Sequence, residues 1–123
     1  MDLAGNKRKI GTFYEAQAAS YLCEKGYRIL ESNYRNRYGE IDLILRDGQG
    51  LLVMTEVKYR SSGCCGDPLE AVDSRKQKRI CRTALGYYKE HGYSWDTPCR
   101  FDVIGIYGNG QIRHIENAFF YCG

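Results

Sequence analysis

The sequence contains no apolar run of membrane-spanning length. Its first ten residues, Met1 to Ile10, carry charges but no apolar core of a secretion signal. A cytoplasmic protein is expected. None of the six cysteines (Cys23, Cys64, Cys65, Cys81, Cys99, Cys122) forms a C-x-x-C pair, and the two histidines, His91 and His114, stand far apart. Such spacings give no zinc framework. In a reducing compartment the cysteines are expected as thiols, some buried as small apolar groups. Repeats, low-complexity tracts and domain boundaries are also lacking, and 123 residues suffice for one domain with a real core. A single domain over residues 1–123 is expected, with residues 1–10, including Lys7-Arg8-Lys9, as a flexible basic arm. The formal net charge of +3 is too small to mark a nucleic-acid binder by itself, so the distribution of charge decides.

What is present centres on Gly39-Glu40-Ile41-Asp42-Leu43-Ile44 and, a short way on, Glu56-Val57-Lys58. Read as two strands, strict alternation puts Glu40, Asp42 and Ile44 on one face and Ile41, Leu43 and Leu45 on the other. In the second strand Leu52, Met54, Glu56 and Lys58 share a face, opposite Leu51, Val53, Thr55 and Val57. The polar stretch Arg46-Asp47-Gly48-Gln49-Gly50 reads as a turn with a favoured Asp-Gly pair. A hairpin there brings Asp42 and Glu56 side by side. Carboxylates and an ammonium among apolar residues are costly to bury. Divalent metal binding is one reason to bury them, since hard cations take carboxylate oxygens. A buried salt bridge to Lys58, serving only the fold, is the other.

Around this core the pattern predicts further elements. A helix is expected from about Gly11 to Lys25, with Thr12 and Glu15 in a capping-box relation and Gly26 as its stop. Its apolar stripe is Phe13, Ala16, Ala19 or Ser20, and Cys23, broadened by Tyr14, Ala18, Tyr21 and Leu22. Glu15 has two readings, as cap partner or as an acid aimed at the site. Tyr27 to Arg35 reads as a strand, and Arg35 and Arg37, interleaved with Tyr34 and Tyr38, suit phosphate contact and base stacking. The segment 61–68, with Cys64-Cys65, reads as a loop able to act as a flap. A long helix is expected from Leu69 to about His91, with Lys76 on its buried side and Arg75, Lys78, Arg79, Arg82 and Lys89 on the other. The density of cations in Arg75 to Arg79 suits phosphate. Arg100 to Tyr107 reads as a central strand and Gln111 to Glu116 as the last, with Asn117 to Tyr121 packing back on the core. The order helix, three strands, helix, two strands predicts an α/β layer fold with a crossover through the long helix.

These residues, in this order, resemble the PD-(D/E)XK signature of restriction-endonuclease-like nucleases. Glu15, Ala18, Tyr21-Leu22, Gly26-Tyr27, Asn33-Tyr34-Arg35, Lys76-Gln77 and Arg100-Phe101-Asp102-Val103-Ile104 extend the match along most of the chain. Together they look like the YraN family of small bacterial proteins, which is similar to archaeal Holliday-junction resolvases. Three departures stand out: Tyr14 where the family usually has glycine, Ile41-Asp42 in place of Pro-Asp, and Met54-Thr55 before Glu56.

The resemblance implies a restriction-endonuclease-like domain, a mixed central sheet flanked by helices. It further implies Mg²⁺- or Mn²⁺-dependent hydrolysis of phosphodiester bonds in DNA, including branched or structured DNA. Asp42 and Glu56 would hold the metal, with the Val57 carbonyl completing the shell and Glu15 and Glu40 as further candidates. Lys58 would act on the attacking water, and Lys76 or Gln77 would orient the phosphate. Arg35, Arg37, Lys78, Arg79 and Arg82 would grip the backbone. The rival from another class is a nucleic-acid adaptor or partner-docking protein that keeps the fold without turnover. A metal-independent ribonuclease is disfavoured, since neither histidine sits near a base–nucleophile pair. A homodimer is left open.

Overall fold

Seven elements follow one another in the expected order: α1 (Leu3–Glu24), β1 (Arg28–Asn36), β2 (Gly39–Arg46), β3 (Leu52–Arg60), α2 (Ser74–His91), β4 (Cys99–Tyr107) and β5 (Ile112–Phe119). They are seen in a computed structural model that describes residues 3–60 and 72–121, with side chains from Phe13 onward. The expected flap and the Cys64-Cys65 pair lie outside the described residues.

The strands form one sheet in the order β1-β2-β3-β4-β5. β1/β2, β2/β3 and β4/β5 are antiparallel, and β3/β4 is parallel from Leu52↔Cys99 to Arg60↔Tyr107. A parallel pair needs a crossover, and α2 lies in that connection. This mixed sheet flanked by helices, in the order α-β-β-β-α-β-β, is the architecture expected of a restriction-endonuclease-like fold.

Each face of the sheet is covered by one helix. On one side Ala18 and Leu22 of α1 pack on Leu43, Leu45, Val53, Ile104 and Ile106. On the other, Ile80, Cys81, Ala84, Tyr87 and Tyr88 of α2 pack on Ile44, Leu52, Met54, Phe101, Val103 and Phe119. Fully burying one such aliphatic side chain is worth about 1.5–3 kcal/mol. β3 alternates as expected, with Leu52 and Met54 in the α2 layer and Val53 and Val57 in the α1 layer. β2 does not: Leu43 and Leu45 join the α1 layer, but Ile41 joins the α2 layer with its partner Tyr34. The alternation breaks at Asp42. Opposite it, between the Ser32↔Leu43 and Tyr34↔Ile41 pairs, stands Asn33, in the left-handed region at φ 53°. A residue there reverses the pleat locally, and asparagine is among the few that tolerate it.

Several element bounds differ from expectation. α1 begins at Leu3, so residues 3–10 are helical rather than a loose arm, and Thr12 is an interior position with no cap to form. Gly5 and Gly11 each cost a helix about 1 kcal/mol, but nothing there stops it. The buried line of α1 is Ala18 and Leu22, flanked by Tyr14 and Tyr21, whereas Phe13, Ala16 and Cys23 face outward. Its end is as expected: Gly26, at φ 92°, donates to the Cys23 carbonyl, and the Tyr27 amide reaches back to Leu22. α2 starts at Ser74, because Asp73 adopts an extended backbone and its side chain accepts from the Lys76 amide at 2.9 Å. β5 runs on to Phe119, which stacks on Phe101 at 4.9 Å, while Phe120 and Tyr121 are exposed rather than packed.

Candidate functional site

The β2/β3 ladder runs from Arg46↔Leu52 to Leu43↔Thr55 and stops there. Beyond it β2 pairs only with β1, and β3 only with β4. The two strands part at Asp42 and Glu56, the next opposed residues. In place of a ladder bond, Asp42 Oδ2 accepts the Val57 N–H at 2.8 Å. The N–H and C=O of a strand residue point to the same neighbour. The Val57 carbonyl therefore also faces the gap.

Glu56 is only 5% exposed, and its Oε1 is buried with no hydrogen-bond partner. Burial first, and the Asp42 charge second, push its carboxyl up to about 8. Asp42 is raised too, by burial, against the Val57 amide and Lys58, which act to lower it. Lys58 is lowered, first by burial and then by Lys76, whose side chain lies within hydrogen-bond reach. An ion pair formed for its own sake would hold both carboxyls below their ordinary values. Here both are raised: burial leads in each, with the Asp42 charge adding at Glu56 and the Glu40 charge at Asp42, and together these outweigh the lysines.

The gap opens into a cleft of about 610 Å³. Glu15, Glu40, Asp42, Glu56, Val57, Lys58, Lys76, Arg35, Arg37 and Arg79 all line it. The capping role for Glu15 is thus replaced by a place in the site. It lies beside Tyr14 and one turn before Ala18, so it projects along the edge of the buried face of α1. Burial raises its carboxyl, Asn33 lowers it by a hydrogen bond, and Asp42 and Glu40 raise it further. Glu40, a candidate ligand, accepts from Arg35 at 2.9 Å. This bond also engages Arg35, although its side chain stays 75% exposed.

Not every residue expected to meet phosphate lines the cleft. Gln77 does not: its Nε2 donates to the Val72 carbonyl, which ties it to the start of α2. Lys78 and Arg82 line an adjoining groove of about 560 Å³ with Arg75, Ser74, Arg37, Tyr38 and Arg79. Arg37, Tyr38 and Arg79 border both spaces. Among the described residues the groove's lining holds five cations and no carboxylate. Gly39 makes the junction fit, since a Cβ there would lie 2.8 Å from Arg79 Cγ and 3.0 Å from Thr83 Oγ1. Asn36 fixes the β1/β2 turn on α2. Its Nδ2 donates to the Thr83 carbonyl at 3.1 Å and its Oδ1 accepts the Tyr38 N–H at 2.9 Å.

Could the donors hold a metal? Among the described residues no group of three or more His, Cys, Asp or Glu side chains is gathered as a metal site. Asp42 and Glu56 are a pair, with Glu15 engaged by Asn33 and Glu40 by Arg35. Mg²⁺ keeps several waters and needs only one or two carboxylates from the protein. A buried carboxylate pair with an unpartnered Oε1, beside a strand carbonyl, fits that demand.

Two polar residues to which the sequence assigned no role prove structural keystones. Asn33 is one: an asparagine inside a strand run is disfavoured, and that was the available signal. Asp102 is the other. Fully buried in β4, it accepts from Arg100 Nε at 2.8 Å and the Asn117 N–H at 3.0 Å, and its Oδ2 lies 2.7 Å from His114 Nε2. Arg100 in turn donates to Tyr27 Oη at 2.7 Å. Burial pushes the Asp102 carboxyl up, but its bonds from His114, Arg100 and the Asn117 amide outweigh this and hold it below its ordinary value. Its partners lie in the β4/β5 part of the sheet, and it does not line the cleft.

Comparison with known proteins places the chain among close relatives. A UPF0102 protein of Lachnoclostridium phytofermentans is 47% identical over 114 residues, covering 93% of this chain and 95% of the relative. One of Marinobacter nauticus is 50% identical over 115 residues (90% and 92%), and one of Vibrio vulnificus is 42% identical over 115 residues (92% and 93%). Among solved structures, an EndoMS–double-stranded DNA complex aligns over 76% of this chain but 34% of its own, at 23% identity and TM-score 0.39. Pyrococcus furiosus SfsA in complex with Ca²⁺ aligns over 90% and 63%, at 14% identity and TM-score 0.33. The family model described as "Uncharacterised protein family UPF0102" matches residues 14–106. The chain belongs to the UPF0102 (YraN) family.

Proposed function

We propose that this protein is a metal-dependent nuclease that hydrolyses phosphodiester bonds in DNA, with its centre where β2 parts from β3. The observation that carries this reading is Glu56. Its carboxyl is buried beside Asp42, is pushed up to about 8, has an unpartnered Oε1, and opens on a cleft whose outer lining is cationic. Such an arrangement costs the metal-free fold and is relieved by a cation.

Asp42, Glu56 and the Val57 carbonyl are the groups that would hold Mg²⁺ or Mn²⁺, with Glu15 across the cleft. When bound, such a cation neutralises charge on the phosphate and makes a water more acidic. The chain's own residues do the rest. Lys58, lowered by burial and by Lys76, gives up its proton more readily than an ordinary lysine, and it lies in the cleft with both carboxylates. It positions the attacking water and stabilises charge as it develops. Lys76 and Arg79 face the phosphate, and the groove of Arg75, Lys78 and Arg82 holds the adjoining backbone.

The test compares two variants for metal-induced stabilisation and for cleavage of duplex, single-stranded, flapped and branched DNA, with RNA alongside. Asp42→Asn is expected to stay folded, lose stabilisation by Mn²⁺ and lose cleavage. Lys58→Ala is expected to keep the metal effect while cleavage falls by orders of magnitude. Wild-type melting that ignores Mn²⁺, with both variants destabilised by roughly 3–5 kcal/mol, supports the buried salt bridge instead.

A further inference from the structure

The outer side of α2 leads from the cationic groove to a pocket that the proposed chemistry does not use. Arg75, Lys78, Arg82 and Lys89 recur at helical spacing, and the first three line the groove. Arg82 also borders a second pocket of about 450 Å³, together with Tyr38, Leu85, Gly86, Lys89 and Trp95. Tyr38 lines the cleft, the groove and this pocket alike. A Cβ on Gly86 would lie 3.6 Å from Tyr38 Cδ2, so the ring rests against α2 where the helix carries no side chain. Among the described residues the pocket's lining holds two rings, two cations and no carboxylate.

Packing does not explain Trp95. It is 69% exposed, although a tryptophan gains most from burial. Nor is its loop loose. The Tyr93 N–H donates to the Tyr88 carbonyl at 2.9 Å, the Tyr88 hydroxyl donates to the Thr97 carbonyl at 2.7 Å, and the Thr97 N–H donates to the Ser94 carbonyl at 3.0 Å. One residue of α2 thus ties both ends of the loop, and the loop presents the indole at the pocket. The neighbouring charge identifies what covers it. A phosphate on Arg82 lies where the groove meets the pocket, and only a sugar separates a phosphate from its base. Bases within a continuous duplex already stack on both faces. An unpaired base has a face to offer, and an aromatic side chain takes any such base.

We propose that the pocket between Tyr38 and Trp95 receives an unpaired base of a strand whose phosphates lie in the cationic groove, with Trp95 as the stacking surface. The proposal rests on the nuclease reading and narrows its substrate to DNA with unpaired nucleotides. Tyr38 stands between this pocket and the cleft, so the base is held along the strand from the carboxylates rather than among them.

The test is binding in EDTA, where no cleavage intervenes, of an oligothymidine and of an abasic strand of equal length. Both carry the same phosphates, so the groove contributes equally. The full chain is expected to prefer the oligothymidine by roughly tenfold. Trp95 is the single tryptophan of the chain, so the intrinsic fluorescence of the wild type reports on it without any substitution. The oligothymidine is expected to quench that fluorescence, and the abasic strand to leave it unchanged at saturation. Trp95→Ala is expected to bring affinity for the oligothymidine down to that for the abasic strand, with a thermal melt to check that the fold is kept. Trp95→Phe is expected to retain a preference. Equal wild-type affinity for the two strands overturns the proposal, as does a preference without quenching or one that survives Trp95→Ala. Because the readout needs no hydrolysis, failure of the nuclease reading appears separately: no cleavage, with the base preference intact.

Discussion

Replacing Glu56 by glutamine in the metal-free protein isolates the electrostatics of the site. The carboxyl titrates near 4.5 in an open chain and at about 8 in the fold. Between those values the folded protein holds a proton that the unfolded chain has released. Stability therefore falls as pH rises through this window and is regained as pH falls below it. At 1.36 kcal/mol for each tenfold, the cost is roughly 3 kcal/mol at pH 7 and approaches roughly 5 kcal/mol at pH 9. The substituted amide cannot ionise and escapes this cost, although burying it introduces a constant offset. The quantity to read is thus the stability of Glu56→Gln minus that of wild type, measured by urea unfolding in EDTA at several pH values from about 4 to 9. It should rise by several kcal/mol across the series, and the offset cancels. Saturating Mn²⁺ should raise the wild type at neutral pH and leave the variant unmoved. A difference that stays flat across the series would falsify the claim that a repelled, buried carboxylate sits at the point where the strands part.

Three further outcomes are expected. Arg79→Ala with Arg82→Ala should lower the salt dependence of DNA binding, with the log–log slope falling by about 1–2; an unchanged slope removes the groove from the interface. Gly86→Ala should destabilise by about 1–2 kcal/mol, although alanine is the better helix former, because its Cβ would overlap Asn36 Nδ2 and break that residue's anchor on α2. A stabilised variant in thermal melts would show that the anchor contributes little. Asp102→Ala should cost roughly 3–5 kcal/mol at neutral pH by stranding Arg100 and His114. In the wild type the Asp102 contribution is present at neutral pH and lost as pH falls through its depressed value, so the stability gap between wild type and variant should narrow as unfolding is followed into the acid range.

The pairing of Asp42 with Glu56 and the shared cleft with Lys58 were legible in the sequence, because a period of two and a hairpin suffice to place them. The face of Ile41 was not. Strict alternation grouped it with Leu43, whereas it joins the α2 layer, next to the point where Asn33 on the neighbouring strand takes a left-handed backbone. The stripe on α1 was ambiguous because alanine and cysteine suit either side of a helix. The sheet chose Ala18 and Leu22, and that choice swung Glu15 from a supposed cap into the cleft. The start of α2 depended on one side-chain bond from Asp73 to the Lys76 amide, and the same first turn drew Gln77 away to Val72. Glu40 lines the cleft as expected, and the sequence pattern did not show that Arg35, its cross-strand partner, would pair with it. In each case a tertiary or cross-strand neighbour settled what local pattern left undecided.

The β2/β3 hairpin separates two distances that a motif search confuses. Its loop, Asp47 to Leu51, closes one end of the ladder, and the site opens at the other. Residues added around Gly48 or Gln49 would lengthen the chain between Asp42 and Glu56 and leave them opposite each other, so long as Leu43 to Arg46 still face Leu52 to Thr55. The count of residues between the two acids is therefore free to drift. Strand register is not. Deleting one residue within β3, between Leu52 and Glu56, would reverse the side to which Glu56 points and send it toward the α1 layer. Parity along β3, rather than spacing in the sequence, is the quantity that this site holds constant.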